Sequence, residues 1–156
     1  MPLAIGSGTE RSERASAANA LTRAGNDITV IAYSRMAIEA LTAAKQLEQE
    51  GIDCEVIDLR TVSPIDYETV LTSARKTNRI VVVHEAVRAG GLGAELAAQI
   101  QEHAFDYLDA PVARVAAPFA PVPFSPALES AYVPDATTIA AQIRTTLHRR
   151  LPGQSR

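Results

Sequence analysis

Ile80-Val81-Val82-Val83-His84-Glu85-Ala86-Val87-Arg88-Ala89-Gly90-Gly91-Leu92-Gly93-Ala94-Glu95 is the stretch that decides the fold. Its opening run is uninterrupted, apolar and β-branched, which is how a strand buried on both faces of a parallel sheet reads. The run delivers an ionisable pair, His84-Glu85, at its carboxyl end, and an arginine, a glycine turn and a new helical pattern follow at once. In open α/β sheets that edge gathers ligands and partner surfaces, because helix amino-termini and loop side chains converge there.

Outward from this stretch the same alternation recurs. Residues 28–33 read as a strand, and Ser34-Arg35 as the turn, with Ser34 placed to cap a helix over residues 36–50. Met36, Ala40, Ala44 and Leu47 make that helix's apolar stripe, and Gly51 stops it. Residues 54–59 read as the next strand, followed by a turn at Thr61–Asp66 and a short helix over 67–76. After the glycine turn, Leu92, Leu96, Ile100, Ala104 and Leu108 recur every four residues and define one helical face. Residues 112–116 give a further strand. Six of the nine prolines fall between 111 and 134, a density that predicts an extended, surface-following segment without regular helix. Asp135 caps a last helix whose face is Ile139, Ala140, Ile143 and Leu147. Strands alternating with helices through short connections mean βαβ units, and hence an α/β protein with a parallel sheet between helices.

Composition narrows the function. The 156 residues suit one domain, 47% of them are hydrophobic, and with aromatics at 4% and no tryptophan the core is Ala, Val, Ile and Leu. A net charge of −3 gives no basic field for nucleic acid. No apolar run is long enough to span a bilayer and no signal segment opens the chain, so a cytoplasmic protein is expected, with no membrane partner. Cys54 lies within a strand pattern and reads as a buried, inert thiol. Residues 1–25 are small, polar and charged and read as a flexible arm; residues 149–156 read as a tail.

Among candidate chemical residues, His84 has a pKa class suited to proton transfer, but Glu85 alternates to the opposite face of the strand, so the two do not form one dyad. No nucleophile motif and no metal-ligand spacing accompany them, and a structural or interface role for His84 is favoured over catalysis. Gly91 and Gly93 begin a dinucleotide fingerprint whose third position is Leu96, so the pattern fails. Arg88 is suited to a carboxylate or phosphate, or equally to an ion pair with Glu85 or Glu95. Phe119 and Phe124, on the proline-rich segment, either cover the domain's own core or form an exposed partner patch.

Five segments in order carry a resemblance. Tyr33-Ser34-Arg35-Met36, residues 55–64 (Glu55-Val56-Ile57-Asp58-Leu59-Arg60-Thr61-Val62-Ser63-Pro64), the 84–95 run, residues 109–115 and residues 121–129 resemble the carboxyl-terminal domain of the beta subunit of thiamine-diphosphate-dependent 2-oxo acid dehydrogenases, of the transketolase carboxyl-terminal group. The resemblance covers residues 25–148, and the His-Glu-Ala opening is more similar to the branched-chain and related bacterial branch than to the mammalian pyruvate branch. It implies a three-layer α/β/α sandwich on a mostly parallel, five-stranded mixed sheet in the order 1-3-2-4-5, the first strand, an edge strand in the arm near 18–24, antiparallel. It also implies a crevice shared by Ser34, Arg35, His84 and Glu85, with Arg88 beside it, as a candidate anion or interface site. In the family glycine is usual where this chain has Ser34.

The domains that hold thiamine diphosphate and magnesium in that family, the pyrimidine-binding domain and the Gly-Asp-Gly motif of the alpha subunit, have no counterpart in residues 1–156. The resemblance therefore implies a non-catalytic assembly piece of an oxidoreductase, binding no cofactor alone. Its partners would be a second beta subunit, the alpha subunit and the dihydrolipoyl acyltransferase core. The alternatives are a stand-alone small-anion-binding module of the same fold and a remnant of a truncated gene.

Overall fold

A computed structural model describes residues 19–148. Most of the expected arm (1–18) and the tail (149–156) lie outside the described residues. Five strands form one sheet: β1 (Asn19–Arg23), β2 (Ile28–Ala32), β3 (Cys54–Leu59), β4 (Ile80–Val87) and β5 (Ala113–Ala117), in the order β1-β3-β2-β4-β5. β1 runs antiparallel to β3, while β2 is parallel to both β3 and β4, and β5 is parallel to β4. The mixed sheet and its order are those the resemblance implies.

Helices cover both faces. α1 (Arg35–Glu48) and α5 (Ala136–His148) pack on one, α2 (Tyr67–Thr77) and α3 (Leu92–Ala104) on the other, and α4 (Pro126–Tyr132) lies in the proline-rich segment. The strand alternation divides the core. Val30, Val56, Val81, Val83 and Val115 face α1 and α5, and Ile31, Ile57 and Val82 face α2 and α3. β2 and β3 are buried on both sides and mostly apolar, with three polar residues: Thr29, Glu55 and, half-buried near the end of β3, Asp58. The first two are stabilised locally on the α2 face. Thr29 Oγ1 pairs with Thr77 Oγ1 at 2.7 Å, and the Glu55 carboxylate, only 1% exposed, meets Lys76 Nζ. Cys54 is buried, and desolvation pushes its thiol up to about 11, leaving it inert as expected.

Four local expectations are corrected. The segment 111–134 does contain a helix: Pro126 occupies the first helical position of α4, where its missing N–H costs nothing, and Ser125 Oγ accepts from the Leu128 N–H. β4 continues to Val87, so His84-Glu85 lies inside the strand and not at its end. α3 gives way at Ala104 to a 3₁₀ turn (Phe105–Tyr107), and Leu108 packs against the core from beyond it. Ser34 stands at the amino-terminus of α1 but its side chain makes no capping bond. Asp66 and Asp135 do cap, through Thr69 N at 3.1 Å and Thr138 N at 2.8 Å.

Candidate functional site

The strand order reverses direction between β2 and β4, so the turn after β2 and the end of β4 face one another. Ser34 sits in that turn at φ 56° and ψ −142°, a conformation that glycine adopts freely and other residues at a cost of about 1–3 kcal/mol. Its hydroxyl donates to Glu85 Oε1 at 3.2 Å, tying the β2–α1 turn to β4 across the reversal. Arg35, the first residue of α1, is exposed and lies 3.8 Å from Glu39, one helical turn on.

His84 takes the other face of β4. It is fully buried, stacked on Tyr33 with ring centroids 6.1 Å apart and planes 7° from parallel. The first turn of α3 lies directly over the ring. A Cβ at Gly93 would overlap His84 Nε2 and Cδ2, and one at Gly91 would overlap the Val87 carbonyl and reach within 3.0 Å of His84 Cε1. Glycines at 91 and 93 thus let the helix approach the imidazole. Neither ring nitrogen meets a hydrogen-bond partner. Burial pushes the His84 pKa below its ordinary value, a polar approach of the Ala86 backbone that falls short of hydrogen-bond geometry offsets part of that, and the Arg114 guanidinium adds to it. The imidazole is therefore neutral near pH 7 and closed to solvent. Tyr33 beside it is pushed upward, by burial first and by the Glu85 carboxylate second.

Arg88 is exposed and makes neither of the ion pairs weighed for it. Its Nη1 donates to the Arg114 carbonyl and Arg114 Nη1 donates to the Arg88 carbonyl, both at 3.0 Å, locking β4 to β5 beyond the irregularity between Val83 and Val87. The five crevice candidates thus fall into three places: Ser34 with Glu85 at the strand reversal and Arg35 beside them, His84 beneath α3, and Arg88 on the β5 side. A cleft of about 420 Å³ opens on the β3 side of the reversal, lined by Tyr33, Ser34, Asp58, Leu59, Arg60 and Val62. Sequence reasoning missed its β3 wall. The signal was Asp58 and Arg60 at a strand's carboxyl end, where ligands approach α/β sheets.

The proline-rich segment presents apolar side chains to solvent. Phe119 is 79% exposed and Phe124 fully so, with Val122 and Leu128 beside them in the sequence and also exposed. The rings do not cover the domain's own core. The loop is nevertheless held: Tyr132 Oη donates to the Ala120 carbonyl at 2.8 Å and lies 3.2 Å from that of Pro118. Among the described residues no group of three His, Cys, Asp or Glu side chains is placed to hold a metal ion, and no helix is long and apolar enough to cross a membrane.

The sequence and the fold match those of known proteins. The family model for the transketolase C-terminal domain matches residues 16–139. The chain is 50% identical over 123 residues to the pyruvate dehydrogenase E1 component subunit beta of Staphylococcus epidermidis, covering 79% of this chain and 38% of that protein. It is 44% identical over 127 residues to the acetoin:2,6-dichlorophenolindophenol oxidoreductase subunit beta of Cupriavidus necator, covering 81% of this chain and again 38% of the relative. It thus spans about two fifths of the length of these curated relatives. A solved structure titled as a split gene transketolase, inactive beta4 tetramer, superposes with a TM-score of 0.73 at 32% identity, over 85% of this chain and 42% of that one. With the sheet order, the helical layers and the matched span in agreement, the chain belongs to the transketolase C-terminal domain family.

Proposed function

We propose that this chain is the carboxyl-terminal assembly domain of the beta subunit of a thiamine-diphosphate-dependent 2-oxo acid dehydrogenase, contributing subunit contacts rather than chemistry to the decarboxylation and acyl transfer. The observation that carries the reading is the apolar surface of Phe119, Val122, Phe124 and Leu128, held in shape by Tyr132. An exposed aromatic surface of this kind marks a partner site, and fixing its loop in advance lowers the ordering cost of association. A second beta subunit is the occupant we assign to it, supported by the tetramer of beta chains named for the structural relative. The alpha subunit and the dihydrolipoyl acyltransferase core are the further partners of the assembled enzyme. Thiamine diphosphate and magnesium belong, in this reading, to the parent enzyme's other domains.

Sedimentation equilibrium across a wide concentration range tests the assignment. The chain associates, and Phe124→Asp shifts the equilibrium to monomer by tenfold or more in dissociation constant. A strict monomer at high micromolar concentration, indifferent to that substitution, refutes it. Calorimetric titration of thiamine diphosphate with magnesium gives no binding, and micromolar affinity would overturn the non-catalytic assignment.

A further inference from the structure

We propose that Ser34 is a reactive serine, a nucleophile that accepts an acyl group from a small activated ester, with Glu85 as its base. The proposal stands apart from the assembly role and uses residues other than those of the Phe119–Leu128 segment. Ser34 sits on a sharp strand-to-helix turn, between the end of β2 at Ala32 and the start of α1 at Arg35, in a positive-φ conformation (φ 56°, ψ −142°). A turn of this kind lifts a side chain clear of the sheet, the arrangement by which α/β enzymes expose a nucleophilic hydroxyl. The residue is exposed, and its Oγ donates to the Glu85 carboxylate at 3.2 Å, within the reach of a nucleophile–base pair before substrate binds. Because the hydroxyl turns to Glu85, no side chain caps α1; the Ala37 amide donates to the Ser34 carbonyl at 3.1 Å, which leaves the Arg35 and Met36 amides without an acceptor within the helix. Those amides are the donors an oxyanion needs. Ser34 also lines the cleft of about 420 Å³, whose Leu59 and Val62 walls suit a short acyl chain, with Arg60 beside them for a polar leaving group.

The step balances without a further reagent. Ser34 Oγ bonds to the ester's acyl carbon and its proton passes to Glu85. The bond from acyl carbon to leaving oxygen then breaks, and Glu85 returns the proton to the departing alcohol. Water attacks the acyl-serine next, giving its proton to Glu85, which restores the Ser34 hydroxyl as the carboxylic acid leaves.

The test treats the full chain with a fluorophosphonate probe and separately with 4-nitrophenyl acetate, and locates the phosphonyl adduct by peptide mass spectrometry. The fluorophosphonate leaves a lasting adduct on Ser34, and 4-nitrophenyl acetate, whose acetyl group water removes again, is read by the release of 4-nitrophenolate. Ser34→Gly loses both the adduct and the release while keeping a cooperative melt, since glycine fits the turn without strain. Glu85→Gln slows phosphonylation by about a hundredfold, the usual span of a general base. Absence of an adduct on Ser34 after hours at millimolar reagent, or labelling of Glu85→Gln at the wild-type rate, overturns the proposal.

Discussion

Gly93→Ala is a small change with an unusual sign. Gly93 is the second residue of α3, where alanine's higher helix propensity alone would raise stability by up to about 1 kcal/mol. The structure predicts the reverse. The new methyl would overlap two atoms of the His84 ring and press on Val82 Cγ1 at 3.3 Å. His84 has no exposed side toward which to move, since Tyr33 stacks on it and the ring is fully buried. The depth of overlap with Nε2 and Cδ2 puts the cost of forcing a methyl into such packing in the upper part of the usual range, at about 2–3 kcal/mol, which after the propensity gain leaves a net loss of about 1–2 kcal/mol. For a chain of this size that is a fall of about 3–6 °C in Tm, read by calorimetry or circular dichroism. His84→Ala opens the space the methyl needs, so the double variant should be more stable than the two single losses add up to, by about 1 kcal/mol. A Gly93→Ala protein that melts at or above the wild-type temperature would show that α3 does not rest on the imidazole.

Two further outcomes follow from the same region. His84 has a folded pKa below its unfolded value, so the unfolded chain binds the extra proton. The stability this group contributes is complete above about pH 6.5 and falls as pH drops, at up to about 1.4 kcal/mol per pH unit until the folded protein also takes the proton; His84→Phe should flatten that part of a denaturant-midpoint profile between pH 7 and 5, and an unchanged slope would contradict it. Ser34→Gly relieves a positive-φ residue while losing one exposed hydrogen bond, so urea denaturation should show a gain of about 1 kcal/mol, whereas a loss would mean that the contact to Glu85 outweighs the strain.

Much of this architecture is legible in the residues. The β-branched runs at 28–32 and 80–83 give the central strands, and the four-residue spacing from Leu92 gives α3, because burial on both faces and amphipathic periodicity are local properties. The strand order came from the family resemblance, since pairing of β1 with β3 is a long-range choice that no local pattern encodes. The site was less legible. His84 reads as an open, ionisable group, and only the approach of α3 through Gly91 and Gly93 closes it. The positive φ of Ser34 is hidden too, because serine at a helix start reads as a cap. The proline count misled at α4, where position mattered more than number: Pro126 behind Ser125 is a helix start.

The placement of β2 at the centre has a consequence for the protein's synthesis. β2 is flanked by β3 and β4, yet emerges from the ribosome well before either, and its last neighbour is complete only at Val87. Until then the edge of Ile28-Thr29-Val30-Ile31-Ala32 is free, and this segment carries no charge and no proline to deter pairing with another chain. At about 5–20 residues per second the nascent chain presents that edge for a few seconds. Substitutions in α2 that delay the β3–β4 crossover would therefore lower the yield of folded protein while leaving the melting temperature of the surviving molecules unchanged.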